Sequence, residues 1–490
     1  MKNLIILDHY SIKNLIKIIL CVSIFYFLFL FISEKINIST FFYLSFLFFV
    51  NYSLFYIYFS SKKESNYIPI YPLIICYYLF TYSAYFYFNQ GIKFYHNENI
   101  SEYSDLLPYF ILVLSLGIIF FSLGYFLPNY FNYFNQKKKI NLLKKINRYQ
   151  YILLFFFILI LLFYYINYPN YYINFGVLNQ LKEPLIIFLL IFIQIKYWDT
   201  KKYSLNLLNI LLLLIFFIIE LSFGATVFPY LLIACYLSVN YYKSKSINIV
   251  SIFLIFVSLF FIHTAKEEIR EKTWHYNEKK EMILDTFKVD NIIINNVIDT
   301  VAVLNDQILQ SENVDYRYNS QQKRLFHSNI SLQIVTALTP QEVDFYNGAS
   351  YKNLKDKFLP RFINKNKSQE LWGNFWGKRY KILKKTDYVT SWNFPVFNEF
   401  YANFGLKGVI LGMFLWGLLI KSLIIVLNFN SKDIIAFCAA YTILFNLFFQ
   451  ESNLTMILGR LINEILFFGV IFIFILLINY FFGRIIFKKS

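Results

Sequence analysis

The sequence predicts an all-α polytopic integral membrane protein of about twelve transmembrane helices, with one large extracytoplasmic loop containing interfacial helices. Three observations predict it. The chain is 58% hydrophobic over 490 residues, against roughly 45–50% apolar in soluble domains, and its mean hydropathy is +0.49. Hydrophobic stretches of about 17–25 residues recur along it, each long enough to cross a ~30 Å hydrocarbon core as a helix. Between the ninth and tenth of them lies one long polar insert, Thr264 to about Thr390.

The predicted spans fall at 12–32, 40–59, 68–88, 106–127, 150–168, 183–198, 204–221, 224–241, 247–263, 395–420, 433–449 and 454–482. The first is flanked by Lys13 and Lys17 and has no small-residue cleavage site after it, so it reads as a retained anchor. The seventh and eighth are divided by Ser222-Phe223-Gly224-Ala225, where a single kinked element is the other reading. The chain then divides into an N-terminal membrane domain (1–263), the loop (264–394) and a C-terminal membrane domain (395–490).

The formal charge of +17 would suggest nucleic acid in a soluble protein. Here the lysines sort by loop. With the N-terminus inside, the inner segments hold Lys2, Lys13 and Lys17, Lys62 and Lys63, the six basic residues of the 137–148 cluster, Lys196, Lys201 and Lys202, Lys243 and Lys245, Lys421 and Lys432, and Arg484, Lys488 and Lys489. The short outer loops hold only Lys35, Lys93 and Lys182, a bias of about seven to one for positive-inside. Both termini come out cytoplasmic and the insert faces outward. The cysteines (Cys21, Cys76, Cys235, Cys438) all lie in predicted spans, so no disulfide framework or cysteine zinc site is implied for the insert. No HExxH, Walker A or Rossmann glycine pattern is present, which argues against a metal site, a cofactor and an ATP-driven pump.

The insert opens with a helical stretch, 264–310, that sets Lys266 and Arg270 four apart on one helix face at the outer surface. Two cations so placed could grip a phosphate; a snorkelling helix end paired with Glu267 and Glu271 is the alternative. Arg317 and Arg324 follow, then a half-apolar run from Ile330 to Leu338 that predicts an amphipathic helix lying in the interface. The remainder, 341–394, is loop-like but carries the tryptophans and glycines of a folded lid.

Across this insert the motifs carry a resemblance. Thr339-Pro340, Asn347-Gly348-Ala349-Ser350-Tyr351, Phe358-Leu359-Pro360-Arg361, Gly373-Asn374-Phe375-Trp376-Gly377-Lys378-Arg379-Tyr380, Asp387-Tyr388-Val389-Thr390-Ser391 and Glu399-Phe400-Tyr401-Ala402-Asn403-Phe404-Gly405 together resemble the O-antigen polymerase (Wzy-type) family. The resemblance covers roughly 264–415. Two departures stand out: Ser222 to Thr226 lacks the arginine many relatives place in that turn, and Lys381 replaces a common glycine. The resemblance implies an oligosaccharide repeat unit polymerase of the bacterial inner membrane. Its partners would be undecaprenyl-pyrophosphate-linked oligosaccharide, the growing polysaccharide chain and a chain-length regulator protein, with no cofactor and no nucleic acid.

Glycosyl transfer of this kind needs cations against the departing pyrophosphate, an acceptor for the attacking hydroxyl's proton, and an apolar groove for the lipid. Arg361 and Arg379 are the leading candidates for the cations, with Arg270, Arg324 and Lys266 behind them; fixed charges aimed at a developing anion are often the largest catalytic contribution. Glu399 and Asp387 are candidates for the base. Glu399 could equally be a helix-start carboxylate, and Asp387 a turn cap. Glu220, Glu451, Arg460 and Glu464 map near the outer helix ends as a candidate vestibule, with an Arg460–Glu464 pair one turn apart as the plainer reading. An O-antigen ligase-like transferase, a transporter of polysaccharide or lipid-linked sugar, and a structural membrane subunit are the competing classes. Transporters usually carry paired repeats and midplane sites, and no internal repeat is visible here.

Overall fold

The computed structural model describes residues 6–7, 9–33, 38–61, 64, 67–83, 106–129, 150–167, 176–222, 228–245, 247–248, 327–352, 354–357, 372–386, 391–429, 432–448 and 450–486. Over these the chain is helical: α1 (His9–Ile32), α2 (Ile38–Ser60), α3 (Ile70–Tyr78), α4 (Leu107–Phe126), α5 (Gln150–Asn167), α6 (Gly176–Thr200), α7 (Tyr203–Ser222) and α8 (Phe228–Ser244). The second half adds α9 (His327–Leu338), α10 (Leu354–Lys357), α11 (Trp372–Arg379), α12 (Val396–Val426), α13 (Ile434–Asn446) and α14 (Leu454–Ile486). A two-residue antiparallel ladder joins β1 (Ile6–Leu7) to β2 (Ile247–Asn248). Among the described residues, 5 helices are long and apolar enough to cross a membrane: those holding Ile12–Phe29, Ile38–Ser60, Leu107–Asn129, Val396–Val426 and Leu454–Ile475. The protein is a helical, membrane-embedded chain.

The region around 222–225 forms two helices, α7 and α8, with 223–227 outside the described residues. The faces of α1, α5 and α7 turn large apolar side chains outward, with Phe25 70% exposed, Phe155 59% and Leu207 60%. Such faces suit hydrocarbon, where the contact costs nothing.

Around a core of large aromatic and aliphatic side chains, α4 and α12 approach closely enough for backbone contact. A Cβ at Gly124 would stand 2.0 Å from the Phe414 carbonyl oxygen, and one at Gly417 would stand 2.0 Å from that of Phe121. A Cβ at Gly117 would strike the Phe397 ring at 2.2 Å. The sequence therefore lets α4 and α12 touch along their backbones, the small-residue packing that lipid-embedded helices use where burial from water is not available. Helix α6 is the corresponding hub of the other half, packing on α5, α7, α8 and α13. Polar side chains bind its neighbours together: Asn209 Nδ2 donates to Gln194 Oε1 at 2.5 Å, and Trp198 Nε1 donates to Asn240 Oδ1 at 2.8 Å. The segments 1–263 and 395–490 thus interlock, α12 along α4 and α13 along α6.

Two irregularities sit in this frame. Helix α3 runs on as a π-helical segment, Leu79–Ser83. Helix α12 breaks at Gly405 (φ 63, ψ −149), where a Cβ would meet the Phe345 ring at 2.9 Å. Only glycine adopts that conformation cheaply. The carbonyls of Ala402 and Asn403, just ahead of the break, accept from the Tyr346 and Asn347 backbone N–H groups at 3.0 and 3.1 Å. Non-helical backbone near a bilayer is tolerated where protein covers it in this way.

Helix α9 corrects one expectation. The half-apolar run predicts a helix lying in the interface, but every residue of α9 is buried, polar ones included. It packs against α12, the π-helical segment and α4. Each polar face finds a partner: Asn329 Nδ2 donates to the Tyr82 carbonyl at 2.6 Å, Gln333 donates to Asn329, and Thr336 Oγ1 donates back to the Leu332 carbonyl at 2.9 Å. A partnered polar group can go inside; the hydropathy pattern carries no record of those partners.

Candidate functional site

The described part of the insert is built onto the first turns of α12, ahead of the Gly405 break. Asn403 is the fastener. Its Oδ1 accepts from the Gly348 N–H at 2.9 Å, and its Nδ2 donates to Ser350 Oγ at 2.9 Å and to the Glu399 carbonyl at 2.8 Å. Asn347 and Gly348 supply the left-handed turn (φ 49 and 77) that this clasp requires, and Asn and Gly are the residues that tolerate it.

Glu399 is fully buried, one turn before Asn403. Its Oε2 accepts from the Leu454 N–H at 2.7 Å, at the start of α14. The carboxylate therefore stands in the first turn of its own helix and also caps the positive end of α14. Tyr351 lies in its field: burial, then the Glu399 charge, raise the Tyr351 hydroxyl well above the ordinary tyrosine range and keep it neutral.

Arg379 closes α11 and is half-buried. Its Nη2 donates to the Asp344 carbonyl at 2.6 Å, and its guanidinium lies 4.9 Å over the Tyr346 ring. Its Nε is buried with no acceptor among the described residues. Burial raises the Tyr380 hydroxyl, and the neighbouring Arg379 charge partly offsets the rise. Beneath them is an aromatic stack: Trp376 lies face to face with Phe394 at 5.1 Å, and Tyr346 packs on Trp372, Phe375 and Trp376 at 5.8, 5.2 and 5.3 Å. Gly373 lets this helix close on the following strand of chain, since a Cβ there would stand 1.9 Å from Ser391 Oγ. The segment 344–350 thus holds Arg379 at one end and clasps the turn next to Glu399 at the other.

A polar core lies behind it. Tyr82 Oη donates to Asn398 Oδ1 at 2.8 Å, Asn398 Nδ2 donates to the Ser328 carbonyl at 2.9 Å, and Tyr77 Oη and Ser328 Oγ share a bond of 2.8 Å. Trp392 Nε1 donates to Ser331 Oγ at 2.8 Å, and the Trp392 ring lies 4.4 Å from that of His327.

Of the candidate vestibule, Arg460 Nε donates to Glu464 Oε1 at 3.2 Å, the pair expected from their spacing. The structure adds Glu183 of α6, which the Arg460 Nη2 also meets, and Asn446 of α13, which donates to Glu464. Glu451 is half-exposed and stands within electrostatic reach of Tyr77 and Tyr82. Lys266, Arg270, Arg324, Arg361 and Asp387 lie outside the described residues, as does the Glu220 side chain. Among the described residues, no group of His, Cys, Asp or Glu is placed to hold a metal ion.

Sequence reasoning placed Asn403 in a motif without giving it a role, and missed Asn398 and Glu183. The asparagines had a signal, since an amide in an apolar run is expensive unless it is partnered. Glu183 had one as well, at the first residue of a predicted span. No family model, curated protein or solved structure matches this chain.

Proposed function

We propose that the chain is a polymerase joining polyprenyl-pyrophosphate-linked oligosaccharide repeat units at the periplasmic face of a bacterial inner membrane, by glycosyl transfer that uses no metal or cofactor. The observation that carries this reading is the 344–350 segment, which ties a guanidinium and a buried carboxylate into one frame at the mouth of α12. Arg379, with Arg361, neutralises the departing pyrophosphate; its Nε has no acceptor among the described residues and is available to one. Glu399, with Asp387, takes the proton of the attacking hydroxyl. As the bond from the anomeric carbon to phosphate breaks, the acceptor oxygen bonds to that carbon and its proton passes to the carboxylate.

Twelve spans with both termini inside are part of this proposal. Its support is parity. Glu64 with Lys421, Asp199 with Lys243, and β1 with β2 each join segments that alternation puts on the inner side. Tyr109 with Tyr401, and Glu183 with Arg460, each join segments that it puts on the outer side.

The test is a strain lacking this chain, together with the purified protein in proteoliposomes. Single-repeat glycan accumulating outward on the carrier, and polymer made from a lipid-linked repeat unit by the purified protein, are the expected results. Long polymer left on the carrier would instead mark a ligase, and repeat units left facing inward a transporter. An impermeant thiol reagent should label a cysteine placed at Ser368 in spheroplasts and spare one at Ser490; the reverse pattern would overturn the topology.

A further inference from the structure

Where α6, α13 and α14 meet, the structure holds two carboxylates and one guanidinium. Arg460 bonds both Glu183 and Glu464, so with every group ionised the cluster keeps one negative charge. The surroundings do not favour it. Glu464 is 1% exposed and Asn446 6%. The charges acting on the Glu464 carboxyl are Arg460, from its own helix, and Glu183 from α6. Lys182 adjoins Glu183 in the chain, and Lys355 and Asp356 lie on α10, which also packs against α14. Helix α13 contributes only the neutral Asn446.

The hydrogen bonds point the same way. Asn446 Nδ2 donates to Glu464 Oε1. The other oxygen of each group, Glu464 Oε2 and Asn446 Oδ1, is buried with no hydrogen-bond partner among the described residues. Both are acceptors when Glu464 is ionised, and a buried acceptor without a donor is destabilising. A carboxylic acid and a primary amide pair through two bonds, amide N–H to acid carbonyl and acid O–H to amide carbonyl. The first of these is made here. The atoms that would make the second are the two left unpartnered.

We infer that Glu464 and Asn446 form a proton-binding site in the bundle: the proton resides on Glu464 Oε2, is shared with Asn446 Oδ1, and leaves Arg460 paired in charge with Glu183 alone. One proton removes the excess charge and satisfies both acceptors. The inference does not depend on the polymerase reading, because it concerns a protonation state and not a reaction.

Infrared difference spectroscopy of the full chain in lipid nanodiscs, taken over a pH titration, tests it. At neutral pH the carbonyl stretch of a protonated carboxyl should be present, and it should vanish on alkalinisation. Glu464→Gln should abolish that band. Asn446→Leu, which removes both amide bonds, should move it to higher frequency; this also keeps the test decisive if the glutamine variant fails to insert. Glu451→Gln should leave the band in place. Absence of the band in the wild type, its persistence unchanged in both Glu464→Gln and Asn446→Leu, or its loss in Glu451→Gln would overturn the assignment.

Discussion

Among the described residues two ionic centres, Glu64–Lys421 and Arg460–Glu183, lie at the two ends of the bundle that the proposed topology makes inner and outer, and they are built differently. At the inner end Glu64 and Lys421 meet at 2.6 Å with both side chains fully sealed. Neighbours crowd both charges there: Asn129 Nδ2 donates to the same carboxylate at 2.7 Å, Tyr125 Oη donates at 3.1 Å, and the Lys421 ammonium lies 4.1 Å over Tyr67 and 4.7 Å over Tyr125. At the outer end the Arg460–Glu183 pair is about 30% exposed, 29% for one side chain and 30% for the other. Unpartnered acceptors remain beside it, and Arg379 holds a buried N–H without an acceptor among the described residues. A saturated charge pair can only hold helices together. Chemistry needs groups with capacity left over, and these lie at the outer end.

Breaking the inner centre should have the largest effect. Lys421→Met leaves the Glu64 carboxylate buried without its cation, which should cost about 3–5 kcal/mol and appear as a lowered thermal midpoint in detergent. Adding Glu64→Gln should restore most of the loss. A single variant as stable as wild type would show that this pair is not a lock.

Breaking the outer end should spare stability and remove activity. Arg379→Lys keeps the charge but loses the planar fork, so polymer formation should fall roughly 100- to 1000-fold, the usual cost of one oriented charge near a developing anion. The same variant should still insert and unfold within about 1 kcal/mol of wild type, since the Asp344 carbonyl can accept from lysine. Unaltered turnover would reduce Arg379 to a brace for the 344–350 segment.

Glu399→Gln sharpens the comparison within one residue. An amide oxygen still accepts from the Leu454 N–H, so the cap on α14 survives with a loss of about 1 kcal/mol, while a base is abolished. Activity lost with the fold retained supports the base; activity retained makes Glu399 a cap and moves the role toward Asp387. Gly405→Ala should cost about 1–3 kcal/mol through its positive-φ, extended-ψ backbone alone, a region essentially reserved for glycine, with a further penalty from the Phe345 ring at 2.9 Å, and should loosen the loop enough to be seen by limited proteolysis. Chelator should produce the smallest effect, no change in turnover. Inhibition rescued by one particular metal would overturn the arginine-based mechanism.

Much of the scaffold is legible in the sequence because it rests on local properties. Eleven of the predicted spans coincide with described helices to within a few residues at most ends. The exception is 247–263, which lies outside the described residues beyond Asn248. Arg460 with Glu464 is legible too, since a separation of four residues on a helix places them together. The burial of α9 is not. Its Ser, Asn, Gln and Thr residues look solvent-facing until Tyr77, Tyr82, Asn398 and Trp392 are brought to them.

The sequence by itself determined the membrane class and where most of the described helices fall, because hydrophobic run length is a property of consecutive residues. Only the tertiary structure decided which polar groups meet. Glu64 finds Lys421 at a separation of 357 residues, Arg460 finds Glu183 at 277, and Glu399 finds the Leu454 N–H at 55. Those partnerships follow from which helix faces approach closely, and that is set by glycines such as Gly117, Gly124 and Gly417 and by the break at Gly405. Hydropathy records the cost of burying each charge; the identity of the partner that offsets it comes only with the packing.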